Sequence, residues 1–386
     1  MPLVEDEKRF VAGEEKYWLA FSRVSGIGLV RLRRLFDYFG GLGEAWQASS
    51  GQLLTAGLEP KLTGRLLQFR QSFDPDGEMS RLEKLGIKLL VLDGPDYPER
   101  LAQIDNPPPV LYLKGELTPA DSMALAVVGT RRASSYGRQA TSQICAELAQ
   151  QGITIVSGLA KGIDTVAHQA ALDAGGRTLA VLGCGVDIIY PPENRGLAAR
   201  ILNPAELNGA ILSEYAPGTQ PDAVNFPPRN RIVSGLSLGV FIVESGEKGG
   251  ALITVNFANE QGRDIFALPG SIYNPLSIGT NSLIRRGNAR LVTSAADILE
   301  EIRPGGLFDA EDRQTRAEIA QAGDTEAEKS IIRSLRQAGE PLHIDEISRE
   351  CNLPMSEISG VLVLMELKGL VQSMGGMRYA LTRLVS

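Results

Sequence analysis

Apolar positions change their period twice along this chain. Between residues 14 and 73, Tyr17, Leu19, Ala20 and Phe21, then Leu29, Val30, Leu32, Leu35 and Phe36, recur at helical spacing and predict short helices joined by Gly turns. Ser25-Gly26-Ile27-Gly28 lies between the two runs. It fits a helix-hairpin-helix, whose glycines let backbone N–H groups reach a DNA phosphate, and equally a plain turn in a small helical interaction domain. From residue 77 to 302 the pattern alternates. Short apolar runs over Ile87–Leu92, Leu125–Val128, Ile153–Val156, Thr178–Leu182, Ala210–Ser213, Val240–Val243, Ile265–Leu268 and Arg290–Val292 predict strands. Helical spacing over Gly137–Gln150, Asp164–Ala174, Leu197–Ile201, Arg231–Leu236, Leu252–Glu260, Asn281–Arg286 and Ala295–Glu301 fills most of the gaps. Short apolar strands alternating with helices predict an α/β fold, a Rossmann-like doubly wound and mostly parallel sheet covered on both faces. Asp105-Asn106-Pro107-Pro108-Pro109 reads as a rigid connector ahead of the main sheet.

The pattern then breaks. Residues 303–325 are polar and irregular and read as a linker. Beyond them, helices over about Glu328–Gln337, Ile344–Cys351 and Ser356–Leu367 precede Gly369-Leu370-Val371 and Met377–Leu381, which flank Gly375-Gly376 as a hairpin. Three helices and a β-hairpin make a winged helix. The chain therefore divides into a helical module (1–75), the Rossmann-like domain (76–302), the linker and a winged helix (326–386). No internal repeat or low-complexity tract is apparent.

Composition removes whole classes of chemistry. The three cysteines, Cys145, Cys184 and Cys351, form no CxxC pair, which leaves neither a disulfide framework nor a cysteine zinc site. The two histidines, His168 and His343, lie far apart. No metal or cofactor is expected: no GxGxxG follows the first main-sheet strand and no Walker pattern occurs. The N-terminus lacks an apolar signal core, and no apolar run approaches the ~20 residues of a membrane span, so a cytoplasmic protein without membrane contact is expected. The net charge of −7 argues against a basic nucleic-acid coat, although local field matters more than total charge.

In an open parallel sheet, ligands bind beyond the carboxyl ends of the strands. The loops there are rich in glycine and cations: Gly129-Thr130-Arg131-Arg132, Ser157-Gly158-Leu159-Ala160-Lys161, Phe226-Pro227-Pro228-Arg229-Asn230-Arg231 and Glu244-Ser245-Gly246-Glu247-Lys248-Gly249-Gly250. Arg131, Arg132, Lys161, Arg229, Arg231 and Lys248 are expected to converge on one rim, with Tyr190 and Phe226 as a stacking platform for unpaired bases. Glu247 is expected to face the same path and weaken its field. Each feature has a plainer reading: loop glycines cap strands in any doubly wound fold, Arg131 and Arg132 solvate a surface, Arg231 pairs with a carboxylate such as Asp164, and Phe226 plugs the core. His168 reads as a packing residue and Cys184 as a loop filler.

These loops, in this order, closely resemble the DNA-processing protein A family (DprA, also called Smf). The resemblance is carried by VVGTRRASSYG (127–137), VSGLAKGIDTVAH (156–168), LGCGVDIIYPPEN (182–194), FPPRNRIVSGLS (226–237), VESGEKGGALIT (243–254), GRDIFALPG (262–270) and GTNSLIRRG (279–287). The helical module also looks like the family's sterile-alpha-motif or helix-hairpin-helix module, and the C-terminal segment like its winged-helix appendage. The resemblance implies a single-stranded DNA-binding protein without enzymatic activity. It implies a homodimer that loads RecA recombinase onto DNA in natural transformation and recombination. Carried over residue by residue, the DNA pocket comprises Gly129, Arg131, Arg132, Ser157, Gly158, Lys161, Phe226, Arg229, Asn230 and Arg231. Two other readings compete. Rossmann-like nucleotide N-glycosidases carry a PGGxGTxxE loop, but here GGALITVNFANE puts Asn256 and Phe257 where the carboxylate belongs, and Glu260 comes too late. A transcription factor would read bases with its winged helix, but Ser356–Lys368 is apolar and acidic, with Lys368 only at its end.

Overall fold

The computed structural model describes residues 10–203, 209–302, 325–338, 341–368 and 370–381. The expected linker lies, except for Thr325, outside them. The described residues through Ile302 form one compact unit, and those from Thr325 onward form a second.

The first unit opens with helices α1 (Glu15–Ser22), α2 (Leu29–Phe39), α3 (Leu42–Gln47), α4 (Ser50–Thr55), α5 (Pro60–Arg70) and α6 (Pro75–Lys84). Trp18, Phe21, Leu32, Leu35, Leu53 and Leu66 bury their apolar faces against one another. Contrary to the sequence reading, this segment does contain a repeat. The α1–α2 hairpin turns at Gly26 (φ +99°) and the α4–α5 hairpin at Gly57 (φ +88°), a left-handed backbone that favours glycine. Each turn is tied to the other hairpin by equivalent arginines. Arg34 donates to the Gly57 carbonyl at 3.2 Å, and Arg65 donates to the Ser25 carbonyl at 2.5 Å. Ile27 and Leu58, each one residue past its glycine, are both buried.

A nine-stranded sheet follows in the order β1-β2-β6-β5-β4-β3-β7-β8-β9. Its strands are β1 (Lys88–Val91), β2 (Val110–Gly115), β3 (Ala124–Val128), β4 (Thr154–Ser157), β5 (Thr178–Val181), β6 (Gly209–Ser213), β7 (Gly239–Ile242), β8 (Asp264–Ala267) and β9 (Arg290–Leu291). All neighbours from β6 to β9 are parallel, and β2 runs antiparallel to both β1 and β6. β3 to β7 are buried along their whole length, as apolar strands covered on both faces must be. The sequence reading missed β2: the prolines before it were read as a rigid connector ahead of the main sheet, and they lead directly into this strand.

Helices α7 (Glu99–Ala102), α8 (Ser135–Gln150), α9 (Ile163–Asp173), α10 (Arg195–Ile201), α11 (Phe226–Gly235), α12 (Ala251–Glu260) and α13 (Ile278–Arg285) connect the strands, and α14 (Ala295–Ile302) follows the last of them. α8 packs on α9, and α11 packs on α12. Strands after β3 add to one side and strands from β7 onward to the other. The topological switch therefore lies between the carboxyl ends of β3 and β7, the place where such sheets leave a crevice.

The second unit contains α15 (Glu326–Ala338), β10 (Leu342–His343), α16 (Ile344–Cys351), α17 (Met355–Leu367), β11 (Val371–Gly375) and β12 (Arg378–Leu381). Its three strands pair as β10-β12-β11, so the expected hairpin gains a short third strand and the winged helix is complete. Ile331, Leu335, Ile347, Ile358, Leu362 and Met365 form its core.

Candidate nucleic-acid interface

At the switch point a cleft of about 690 Å³ opens between the loops after β3, β4 and β7 and the first turn of α11. The loop after β3 is held from below. Glu244, buried two residues beyond β7, accepts from the Ser134 amide at 2.9 Å and from the Ser134 hydroxyl, while the same hydroxyl caps α8 by accepting from the Gly137 amide at 3.0 Å. The Thr130 amide donates to the Glu244 carbonyl at 2.9 Å. Arg131 and Arg132 thus project from a fixed turn into solvent at the cleft wall.

The opposite wall is built by α11. The sequence reading began this helix only at Arg231 and left residues 226–230 in a loop; the helix instead begins at Phe226, with Pro227 and Pro228 in its first turn, where a missing N–H costs nothing. Phe226, Arg229 and Asn230 then share one helical face and line the cleft. The half-buried Phe226 ring stacks on Tyr190 (centroids 5.7 Å apart, 29° between planes). The guanidinium of Arg131 lies 5.5 Å from the Phe226 centroid and that of Arg229 lies 6.0 Å from it. Two glycines make this packing possible: a Cβ at Gly158 would lie 2.5 Å from the Arg229 guanidinium, and one at Gly183 would lie 2.8 Å from the Phe226 ring.

Arg229 is buried, donates to the Gly158 carbonyl at 3.0 Å and to the Val181 carbonyl, and reaches the Asn230 side chain at 3.1 Å. Asp164 is the one carboxylate on the cleft wall among the described residues, and it accepts from the amides of Gly158 (3.1 Å) and Ala160 (3.3 Å). Burial pushes its pKa up, opposed by Arg229 and these amides; burial likewise pulls Arg229 down, opposed by Asp164. The Arg229 bond to the Gly158 carbonyl ties the α11 face to the β4 loop, and the exposed Arg131 and Arg132 carry the cleft's accessible positive charge.

Seven of the ten expected residues meet here: Gly129, Arg131, Arg132, Gly158, Phe226, Arg229 and Asn230. Three do not. Arg231 lies two residues beyond Arg229, about 200° around the helix. It points away, into a two-pronged pair with Glu214 (2.8 and 2.7 Å) and onto the Asn106 carbonyl (3.0 Å). The ion-pair reading was right in kind but wrong in partner, since Asp164 sits by Arg229. Ser157 is fully buried, and its hydroxyl donates to the Val127 carbonyl at 2.7 Å. Lys161 is exposed off the cleft wall and pairs with Glu193 at 2.5 Å. Lys248 and Glu247 are likewise exposed and outside the wall, which the β7 loop lines through Ser245, Gly246, Gly249 and Gly250. Thr130, Thr254 and Asp164 line the cleft without having been expected there; polar residues flanking glycine loops carry no distinguishing sequence signal.

His168 and Cys184 take the plainer roles expected of them. His168 is buried and bonds Thr178 at 2.6 Å, and the buried Cys184 thiol donates to the Ile188 carbonyl at 3.1 Å.

A doubly wound sheet with an arginine- and aromatic-lined crevice at its switch point, followed by a winged-helix unit, defines a Rossmann-like class of binding protein. Residues 88–303 match the model of the DNA recombination-mediator protein A family, and residues 315–377 match the DprA winged helix domain. The chain is 37% identical to Protein Smf of Synechocystis sp. over 95% of this chain and 98% of that protein. The X-ray structure of DNA processing protein A from Streptococcus pneumoniae superposes with a TM-score of 0.65 at 37% identity, over 74% of this chain and 97% of that one. A structure of DNA processing protein A from Helicobacter pylori, described for its single-stranded DNA binding mode, gives a TM-score of 0.50 at 32% identity over 55% and 94%. The chain belongs to the DNA recombination-mediator protein A family.

Proposed function

We propose that this protein holds single-stranded DNA in the switch-point cleft and passes it to a RecA-type recombinase, acting in the cytoplasm as a homodimer and without catalysing a reaction. The observation that carries the reading is the Arg131–Phe226–Tyr190 arrangement: a cation 5.5 Å from a ring that is itself stacked on a second ring. A flat apolar face beside a guanidinium suits an unpaired base and its phosphate, and it is tolerant of sequence because every base has a π-face. Gly129, Arg131, Arg132, Gly158, Phe226, Arg229 and Asn230 are its proposed contacts. The cleft's single carboxylate is held by two amides and faces Arg229, which suits a structural role better than acid–base work. The RecA partnership rests on family membership. Self-association is supported by β9, an edge strand whose Leu291 is 53% exposed.

The test is equilibrium binding to labelled oligo-dT and to a duplex of equal length. Oligo-dT is expected to bind far more tightly, and Arg131→Ala to weaken it about tenfold, the worth of one stacked or charge-assisted contact. The two exposed cleft arginines, Arg131 and Arg132, predict a log–log salt slope near −1.4, about −0.7 for each phosphate neutralised. Unchanged oligo-dT affinity in Arg131→Ala would place the DNA elsewhere.

A further inference from the structure

Beyond the cleft, on the far side of the switch point, lies a second feature that folding does not require. After β8 the chain makes a tight turn, Ser271-Ile272-Tyr273-Asn274, closed by the Asn274 amide donating to the Ser271 carbonyl at 3.0 Å. At its tip Ile272 is 80% exposed and Tyr273 90% exposed. This tip is fixed in place. Asn281 clamps Gly270 from both sides, donating to its carbonyl at 2.9 Å and accepting from its amide at 3.1 Å. Asn274 accepts from the Leu276 amide at 3.0 Å, and the Leu276 carbonyl accepts from the Ser245 amide at 2.7 Å. Ser245 lines the cleft, so the aromatic tip is built onto the cleft's own wall.

One more ring joins the arginine loop to β8. Tyr136, 48% exposed at the start of α8, donates to the Pro269 carbonyl at 2.7 Å and so bridges the arginine loop to the end of β8. The order along the carboxyl edge is β5, β4, β3, β7, β8, with Tyr190 in the chain beyond β5 and Tyr273 in the loop after β8. Four strand spacings separate those ends, about 19 Å. The charge pattern matches. The chain has 46 acidic residues in 386, yet none occurs from Ile265 to Ala296. On the adjoining β7 loop, the exposed Glu247 and Lys248 offset each other.

We propose that Tyr273, with Ile272 beside it, is a second stacking station for unpaired bases, so that the cleft is one end of a longer single-strand track running past Tyr136 and over β8. This rests on the single-strand reading of the cleft and extends it. An aromatic face held rigidly in water, free of acidic neighbours along its own segment and continuous with a cation-lined cleft, suits a polyanion with apolar bases better than it suits an acidic protein surface.

The test uses the full chain and oligo-dT of about 4 and about 16 nucleotides, the two ends of the usual single-site range. Phe226→Ala is expected to weaken both oligomers. Tyr273→Ala is expected to weaken the long one about tenfold and leave the short one unchanged. Tyr273→Phe should restore long-oligomer affinity, and the fluorescence of Tyr273→Trp should be quenched by the long oligomer alone. If Phe226→Ala weakens both and Tyr273→Ala neither, the track is overturned and the cleft stands. A Tyr273→Ala that binds both lengths normally but changes the molecule's mass in solution assigns the tip to a second copy, which also overturns it. If Phe226→Ala leaves both affinities untouched, the reading of the cleft itself fails.

Discussion

His168 shows how a single buried side chain makes this fold sensitive to pH. The Thr178 hydroxyl has one proton and gives it to the Ile155 carbonyl at 2.6 Å, so His168 Nδ1 must be the donor in its 2.6 Å bond to Thr178. Nε2 is then a bare nitrogen, buried without a partner. Protonating it would place a charge in the core beside the field of Arg229; burial first, and Arg229 second, pull its pKa down to about 3. The unfolded chain takes up that proton near pH ~6.5. Between those values the unfolded state binds more protons, so stability falls as pH drops through the window, by about 1.4 kcal/mol per unit, and this residue contributes no slope above it. Urea unfolding at pH 7 and pH 5 should show the loss. His168→Gln should remove this component of the difference, and a variant whose pH dependence matches the parent would refute the assignment.

At the level of elements, the paired hairpins owe their shape to two glycines. Gly57 sits at φ +88°, where an alanine costs about 1–2 kcal/mol, and its nearest neighbour is the tip of Arg34, a side chain able to move aside. Gly57→Ala is therefore expected to lower the urea midpoint by that amount with unchanged slope, and Gly26→Ala (φ +99°) to do the same. A neutral result at both positions would mean the turns relax and the repeat is not held as described. The repeat itself was hidden in the sequence, because Gly26 is followed by Gly28 whereas Gly57 is followed by Glu59-Pro60; only the exchange of Arg34 and Arg65 across the hairpins reveals it. Other elements were legible where an apolar run stood clear of proline. β3 to β7 announced themselves because strands covered on both faces are continuous apolar runs. β2 was masked by three prolines, and α11 by two more, which were read as loop when they sit in a first helical turn. That one misreading accounts for the misplaced arginine. In a loop Arg229 and Arg231 can share a rim; on a helix they face opposite ways, one to the cleft and one to Glu214. Lys161 and Ser157 failed for a different reason. Motif position fixes which loop a residue occupies but not which way its side chain turns within it.

For the molecule as a whole, net charge is a poor guide, since a chain of −7 places arginines at its switch point and no acid over the 32 residues from 265 to 296. Every residue that lines the cleft, and the β8 turn beyond it, belongs to the unit that closes at Ile302, and the core beneath them draws on that unit alone. Within the winged helix, α17 offers little to duplex DNA. The exposed positions of α17 include Met355, Glu357, Val363, Leu364 and Glu366, and the helix from Met355 to Leu367 contains no basic residue to present to base edges or phosphates. A chain ending at Ile302 is therefore expected to keep the full protein's affinity for oligo-dT and its salt slope, and to be no weaker than the full protein on duplex. Anisotropy titrations of the two proteins, side by side and at several salt concentrations, check this. Loss of oligo-dT binding on removing residues 303–386 would show that the second unit supplies contacts the cleft lacks. Loss of duplex binding alone would restore a DNA-reading role to a helix whose surface chemistry argues for contact with protein.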